Sequence, residues 1–148
     1  MPSITPFLWF DTQAEEAMNF YLSIFPDSKA GSVRRQGPDG PVVTCSFTLQ
    51  GQEFMALNAG PLFTFNEAVS FFVSCKDQEE VDYYWEKLTA GGEESQCGWL
   101  KDKYGLSWQI VPEALGEALS NPDQEKAGRA MQAMLRMKKL IVKDLLEA

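Results

Sequence analysis

Histidine is absent from this 148-residue chain, and its absence narrows the chemistry that the chain can perform. Ser-His-Asp triads, Cys-His pairs and every zinc site that uses an imidazole are excluded. Cys45, Cys75 and Cys97 are odd in number and widely spaced, which argues against a disulfide framework or a zinc ribbon. Acid–base chemistry would therefore fall to a carboxylate or a cysteine. Glu67, beside an aromatic segment, is the one nearby acid for that role.

Two polar side chains stand within apolar, strand-like runs, where a polar group needs a hydrogen-bonding partner. Ser70 lies in the run 68–75, and Gln109 lies in the run 106–111. Because side chains alternate along a strand, Ser107 shares a face with Gln109. Ser70 and Gln109 are therefore candidate ligand-binding residues, with a purely structural hydrogen bond as the alternative.

The loop at residues 58–66 is unusually aromatic, and we expect it to close over a binding hollow. The candidate ligand-binding residues beside Ser70 and Gln109 are Thr5, Trp9, Asn58, Phe63, Phe65, Asn66 and Trp99. An apolar, aromatic hollow with few polar anchors is the usual make-up of a small-molecule site. Core packing is the alternative reading for each aromatic side chain.

The predicted elements repeat in order along the chain. The first half is predicted to contain a strand at 4–10, a helix that begins after Thr12, and strands at 30–35, 42–49 and 53–57. Glu15 follows Thr12 at the spacing of a capping box. The second half is predicted to contain a strand at 68–75, a helix from Asp77 to Leu88, a weak strand at 93–98, a turn or short strand at 100–104 and a strand at 106–111. This repetition indicates a duplicated βαβββ unit.

These elements predict an α+β protein in which two tandem βαβββ modules form a curved mixed sheet, followed by a C-terminal helix. The expected organisation is a single domain with module 1 at 3–58, a linker loop at 59–67, module 2 at 68–113 and a helical tail at 114–148. Asn121-Pro122-Asp123 is a good helix start. The apolar stripe that follows would pack on the body or on a partner subunit.

Net charge and hydropathy limit the classes of partner that the chain is expected to bind. A net charge of −8 disfavours nucleic acid. No apolar run approaches the length of about 18 residues that spans a bilayer, and the N-terminus has no signal-peptide pattern. We therefore expect a cytoplasmic protein that binds neither nucleic acid nor membrane.

Three segments carry a resemblance to a known family. They are Ile-Thr-Pro-Phe-Leu-Trp-Phe-Asp at 4–11 with Ala-Glu-Glu-Ala at 14–17, Gly-Trp-Leu-Lys-Asp-Lys-Tyr-Gly-Leu-Ser-Trp-Gln-Ile-Val-Pro at 98–112, and the tail at 126–139. The chain resembles the PhnB-like, demethylubiquinone methyltransferase-like family of the vicinal-oxygen-chelate superfamily, which includes glyoxalases and bleomycin-resistance proteins. The resemblance implies a homodimer. No Gly-rich strand–turn–helix that could cradle a nucleotide-like cofactor is present, so we expect no cofactor.

The resemblance also places the superfamily's metal ligands on this sequence. They fall at or beside Thr5, near Ala56 or Asn58, at Ser70 and at Gln109. None of these side chains is anionic or an imidazole, and a hard divalent cation held by neutral oxygens alone binds weakly. The sequence therefore predicts no metal.

Three functions remain open. The first is a metal-independent protein that binds a small, partly aromatic organic molecule, as drug-resistance proteins of the superfamily do. The second is an enzyme acting on a small metabolite, namely an isomerase, a lyase or the methyltransferase that the family label names. The third is an assembly module whose dimer is its function.

Overall fold

The computed structural model describes residues 2–148, which form two compact units. The first unit ends at Phe65, and the second covers Asn66–Ala148. Each unit contains one four-stranded mixed sheet and a helix in β-α-β-β-β order, and helices follow the second sheet. The predicted α+β class with two βαβββ modules and a C-terminal helix is confirmed. The grouping of 1–148 into a single domain with modules at 3–58 and 68–113 stays a prediction.

The first unit builds its sheet in the order β1-β4-β3-β2, with β1 parallel to β4 and the other pairs antiparallel. Its elements are β1 (Phe7–Phe10), α1 (Ala14–Ile24), β2 (Ser28–Arg35), β3 (Val42–Leu49) and β4 (Gln52–Asn58). The hairpin between β3 and β4 turns at Gln50 and Gly51, whose φ angles are 49° and 83°. Two consecutive positive φ angles are typical of the two-residue turns that match the twist of a hairpin.

Helix α1 buries one apolar stripe on this sheet. The buried positions of the helix are Ala14, Ala17, Met18, Tyr21 and Ile24. Tyr21 lies against Phe47 of β3, with ring centroids 6.2 Å apart. The predicted capping box of Thr12 and Glu15 is wrong, because the N-cap residue is Gln13 and its side chain makes no capping bond.

The second unit repeats this plan with the sheet order β5-β8-β7-β6, and β5 is parallel to β8. Its elements are β5 (Ser70–Cys75), α2 (Gln78–Thr89), β6 (Glu93–Glu94), β7 (Trp99–Lys101) and β8 (Ser107–Pro112). Asp77 caps α2, since its carboxylate accepts a hydrogen bond from the Glu80 backbone N–H at 3.0 Å. The weak strand predicted at 93–98 is limited to the two residues of β6.

A buried carboxylate organises the turn between β7 and β8. Asp102 is 2% exposed and accepts three hydrogen bonds, two from the backbone N–H groups of Tyr104 and Leu106 and one from the Trp108 indole. The corresponding distances are 2.9, 3.1 and 2.9 Å. These bonds offset the cost of burying the charge and fix the turn that precedes β8.

The C-terminal tail contains α3 (Glu113–Leu119), α4 (Gln124–Leu135) and α5 (Val142–Leu146). A helix begins in the segment predicted for it, but the predicted cap Asn121 with Pro122 at the first helical position is wrong, because Asp123 caps α4 two residues later; α3 was not predicted. Leu140 and Leu145 are buried against Val111 at the end of β8. Within residues 2–148, none of the helices has the length and apolar character needed to cross a membrane.

Backbone hydrogen bonds tie this tail to the rest of the second unit. The N–H groups of Cys97 and Gly98 each donate to a tail carbonyl, those of Met137 and Lys138, at 2.8 Å. The Gln78 side chain at the start of α2 donates to the Leu140 carbonyl at 3.1 Å and accepts from the Val142 N–H at 2.7 Å. The tail is therefore an integral part of this unit.

Candidate functional site

The second sheet has one face under α2 and one face opposite it. Trp85 of α2 donates to Glu94 of β6 at 3.0 Å, which places Glu94 and its in-register neighbour Leu100 on the α2 side. Because side chains alternate along strands and paired residues point to the same side, the strand registers define the opposite face. We call this surface the polar face; its residues are Ser70, Phe72, Ser74, Glu93, Trp99, Lys101, Ser107, Gln109 and Val111.

Two rows of side chains cross the polar face. In the first row, Gln109 is flanked in register by Phe72 on β5 and Trp99 on β7. Phe72 is 60% exposed, while Gln109 and Trp99 are half-buried. The Gln109 amide donates from Nε2 to the Ser70 Oγ at 3.0 Å. The face therefore presents a fixed amide between two aromatic rings.

The second row contains Ser70, Ser107, Lys101 and Glu93 in register. A cavity of about 180 Å³ opens beside this row. Its lining residues are Glu67, Glu93, Glu94, Ser95, Trp99, Leu100, Lys101 and Ser107. The Lys101 ammonium lies 2.5 Å from the Glu67 carboxylate. This contact lowers the pKa of Glu67 and raises that of Lys101, chiefly through the hydrogen bond between them.

The first sheet also has a face opposite its helix. Cys45 and Asn58 contact the first residue of α1, so the alternate positions face away from the helix. We call this surface the aromatic face; its residues are Phe7, Trp9, Lys29, Arg34, Thr44, Ser46, Thr48, Glu53, Met55 and Leu57.

The aromatic loop packs against the first strand of this sheet. The Trp9 indole donates to the Gly60 carbonyl at 2.9 Å, and the Phe63 ring meets the Trp9 ring edge-on at a centroid distance of 4.9 Å. Phe63 and Phe7 nonetheless remain 59% and 51% exposed. Phe65 instead packs edge-on against Phe10, which lies on the α1 side of the sheet. Trp9 and Phe63 thus lie together, whereas Phe65 does not join them.

The other candidate residues make local contacts. Both polar atoms of the Asn58 side-chain amide form hydrogen bonds within the first unit. Its Oδ1 accepts from the Ala14 N–H at 2.8 Å, and its Nδ2 donates to the Val42 carbonyl at 3.1 Å. Asn66 is exposed, and its side chain accepts from the Ala68 N–H at 2.8 Å. Thr5 is half-buried just before β1. Ligand-binding roles for these three residues stay predictions.

The metal-ligand positions that the resemblance implies do not fit a divalent cation. Ser70 and Gln109 are neutral and hydrogen-bonded to each other. Ala56 and Asn58 both lie on the α1 side of the first sheet, in register with Leu8 and Phe10. Among residues 2–148, no cluster of three acidic, cysteine or histidine side chains could hold a metal ion.

Sequence reasoning named Gln109 and Ser70 and placed Ser107 on their face, but it missed Glu93 and Lys101 of the second row. Glu93 and Lys101 join it only through the pairing of the short strands β6 and β7. Ser107 Oγ is buried and has no hydrogen-bond partner among residues 2–148. Strand alternation from Gln109 was the one signal that pointed to Ser107.

The comparisons with known proteins agree with this fold. A PhnB protein from Bacillus cereus, described as a 3-demethylubiquinone-9 3-methyltransferase, is 40% identical over 75% of this chain and 99% of its own, with a TM-score of 0.70. A protein from Pseudomonas aeruginosa covers 76% of this chain and 98% of its own at 16% identity and a TM-score of 0.65. The fosfomycin resistance protein FosX from Listeria monocytogenes, solved with Mn(II) and sulfate, covers 72% and 88% at 16% identity and a TM-score of 0.53.

The two βαβββ sheets and these neighbours define the vicinal-oxygen-chelate fold. Residues 2–111 match the family model described as 3-demethylubiquinone-9 3-methyltransferase, and the chain belongs to that PhnB-like family. The helices α3 to α5 lie outside the matched residues, and so does the segment 126–139. No functionally curated protein matches the chain.

Proposed function

We propose that this protein binds a small, partly aromatic organic molecule on the polar face of its second unit, without a metal. The observation that carries the proposal is the Gln109–Ser70 hydrogen bond between two flanking aromatic side chains. A fixed amide offers a donor and an acceptor in one plane. Flanking rings supply apolar contact area for a flat ligand.

The chemistry of the donor groups supports binding without a metal. FosX carries Mn(II), and a hard divalent cation prefers carboxylate oxygens. Here the equivalent positions offer a hydroxyl and an amide that already bond to each other.

The exposed apolar side chains support an aromatic ligand. Phe72 on the polar face and Phe7 on the aromatic face are both more than half exposed. Large side chains of this kind beside a few placed polar groups are typical of small-molecule sites. The aromatic face of the first unit, with Trp9 and Phe63, offers a second surface of the same character.

An enzyme acting on a small metabolite is the second candidate, and the methyltransferase named by the family description favours it. The polar face places two carboxylates, Glu67 and Glu93, beside its cavity. However, the sequence lacks a Gly-rich strand–turn–helix that would cradle a nucleotide-like methyl donor. Binding therefore has more support than methyl transfer.

A homodimer is also part of the proposal. Met131 and Leu135 of α4 and Leu146 of α5 are exposed apolar side chains on the tail helices. A second copy of the chain is the partner that the family resemblance implies. Sedimentation equilibrium tests this: a dimer mass is expected, and a monomer mass at high protein concentration would contradict it.

The binding proposal is tested by calorimetric titration of EDTA-treated protein with small aromatic compounds that carry hydrogen-bonding groups. Saturable binding is expected, with a matching rise in the melting temperature. The variant Gln109→Leu should weaken binding about tenfold, since a hydrogen bond in an apolar site is worth about 1 kcal/mol and the freed Ser70 hydroxyl adds to the loss. The control Gln52→Ala alters an exposed amide at the start of β4 and should change nothing. Binding that requires added Mn(II) or Zn(II) would overturn the proposal.

A further inference from the structure

Ser107 is the one side chain whose buried polar atom lacks a partner among residues 2–148. Its side chain is 0% exposed and lines the 180 Å³ cavity on the polar face. Leaving a buried hydroxyl without a hydrogen bond costs about 1–3 kcal/mol. The buried Ser107 hydroxyl can therefore form a hydrogen bond with a polar group that enters the cavity.

The charges around Ser107 decide which polar group fits. Glu67, Glu93, Glu94 and Lys101 line the cavity, but the Glu94 carboxylate is held on the α2 side of the sheet, where it accepts from the Trp85 indole. The remaining three groups, Glu67, Glu93 and Lys101, sum to −1. Lys101 is already paired with Glu67, so no free cation remains in the cavity for an anionic ligand. A cationic group would be attracted, and an anionic group would be repelled.

The distance between the two rows of side chains on the polar face indicates the shape of a cationic ligand. Trp99 lines the same cavity and belongs to the first row, with Gln109 and Phe72. Ser107 lies two residues away on the neighbouring strand, in the second row. Two residues along a strand span about 6.6 Å. An aromatic ring over the first row would thus place a two-carbon ammonium arm in the second row.

We infer that the cavity is a subsite for the ammonium group of a small arylalkylamine, held by the Ser107 hydroxyl and the Glu93 carboxylate. The inference rests on the proposed function and names the class of its ligand. The Trp99 ring adds a cation–π surface beside the ammonium.

Entry to the subsite needs only a small movement. Because Ser107 has no exposed surface, a ligand reaches its hydroxyl when a neighbouring lining side chain shifts. Lys101 and Glu67 are both part-exposed, and an exposed ion pair contributes little to stability. The opening of this pair is the least costly movement around the cavity.

The test compares three probes of similar size on the EDTA-treated full chain at pH 7.5 by calorimetric titration. The probes are 2-phenylethylamine, which is cationic, 2-phenylethanol, which is neutral, and phenylacetate, which is anionic. The amine should bind at least tenfold more tightly than the alcohol, and phenylacetate should bind most weakly. This preference should shrink as salt is raised.

Three variants report on the named groups. Ser107→Ala should weaken amine binding about tenfold, yet leave the melting temperature unchanged or higher, because it removes an unsatisfied hydroxyl. Glu93→Gln should weaken the amine about threefold, whereas Lys101→Met should strengthen it about threefold by removing a like charge. Ser3→Ala, at an exposed position of the first unit, is the control and should change neither quantity.

The outcomes separate the two proposals. If none of the probes binds, both the proposed function and this inference are overturned. If the alcohol or phenylacetate binds as tightly as the amine, the binding function stands and the ammonium subsite is wrong. If Ser107→Ala lowers stability and leaves amine binding intact, the hydroxyl belongs to the fold and the inference is overturned.

Discussion

The two units share one topology but hold it with different contacts. The β3–β4 hairpin of the first unit is set by backbone, through positive φ angles at Gln50 and Gly51. The equivalent β7–β8 turn of the second unit is set by a side chain, the buried Asp102 carboxylate. Two units with the same topology can therefore be stabilised by different interactions at equivalent turns.

The helix caps and the sheet faces also differ between the two units. Asn58, from the last strand of the first unit, bonds to the start of α1, whereas Asp77 caps α2 locally. On the face opposite α1, the apolar side chains follow β1 and β4, and the charged side chains of Lys29 and Arg34 lie on β2. The face opposite α2 instead carries the Gln109–Ser70 and Lys101–Glu67 pairs. The second unit thus has a hydrogen-bonded polar cluster on its face, whereas the first unit has apolar surface along β1 and β4.

The largest effect is expected where the second unit depends on one side chain. Asp102→Ala leaves the Leu106 N–H and the Trp108 indole without an acceptor, so the free energy of unfolding should fall by about 4 kcal/mol. The matched change in the first hairpin, Gly51→Ala, meets no atom within 4 Å and should cost only about 1 kcal/mol of backbone strain. Urea unfolding measures both values. Equal losses would contradict the contrast between the two turns.

Asn58→Ala tests the long-range cap of the first unit. The variant leaves the Ala14 N–H and the Val42 carbonyl unpaired, and the free energy of unfolding should fall by about 2 kcal/mol. Asp77→Ala removes the local cap of α2 and should cost about 1 kcal/mol. Gln13→Ala is the control, because its side chain makes no capping bond. A loss from Gln13→Ala as large as that from Asn58→Ala would show that α1 is capped locally.

The sequence predicted the features that depend on local pattern. The strand runs, the Asp77 helix start and the sharing of a face by Ser107 and Gln109 all follow from spacing along the chain. The Asn58 cap was missed because it joins residues 44 positions apart, and the nearer Thr12 supplied a false capping signal. Glu93 and Lys101 of the second row were missed because β6 is only two residues long.

The tail connection gives a smaller effect that is confined to the second unit. Gln78→Ala removes the bonds to the Leu140 carbonyl and the Val142 N–H, so amide exchange at Val142 should speed up about tenfold. Gln132→Ala, at an exposed position of α4, is the control. Hydrogen exchange monitored by NMR measures both variants. An unchanged rate at Val142 would mean that the backbone bonds of Cys97 and Gly98 hold the tail alone.

The smallest effect is a pH dependence at the alkaline end. Burial raises the pKa of the Cys75 thiol from 9.0 to about 12. Below pH 9 the thiol is protonated in both states; between pH 9 and about 12 the unfolded chain loses this proton and the folded chain keeps it. The free energy of unfolding should therefore fall as the pH rises through this window. Cys75→Ala should show a shallower fall, and an identical slope in the variant would assign the effect to other groups.

The central claim, that the polar face binds a small aromatic molecule without a metal, is tested most directly by the indole N–H signals of the four tryptophans. Trp99 lies on the polar face, Trp9 on the aromatic face, and Trp85 and Trp108 on the α2 side, where both donate to carboxylates. The signals are assigned with Trp→Phe variants and followed as 2-phenylethylamine is added to EDTA-treated protein. The Trp99 signal should shift in a saturable manner while those of Trp85 and Trp108 stay in place. A Trp99 signal that does not move, or that moves only after a divalent metal is added, would contradict the account.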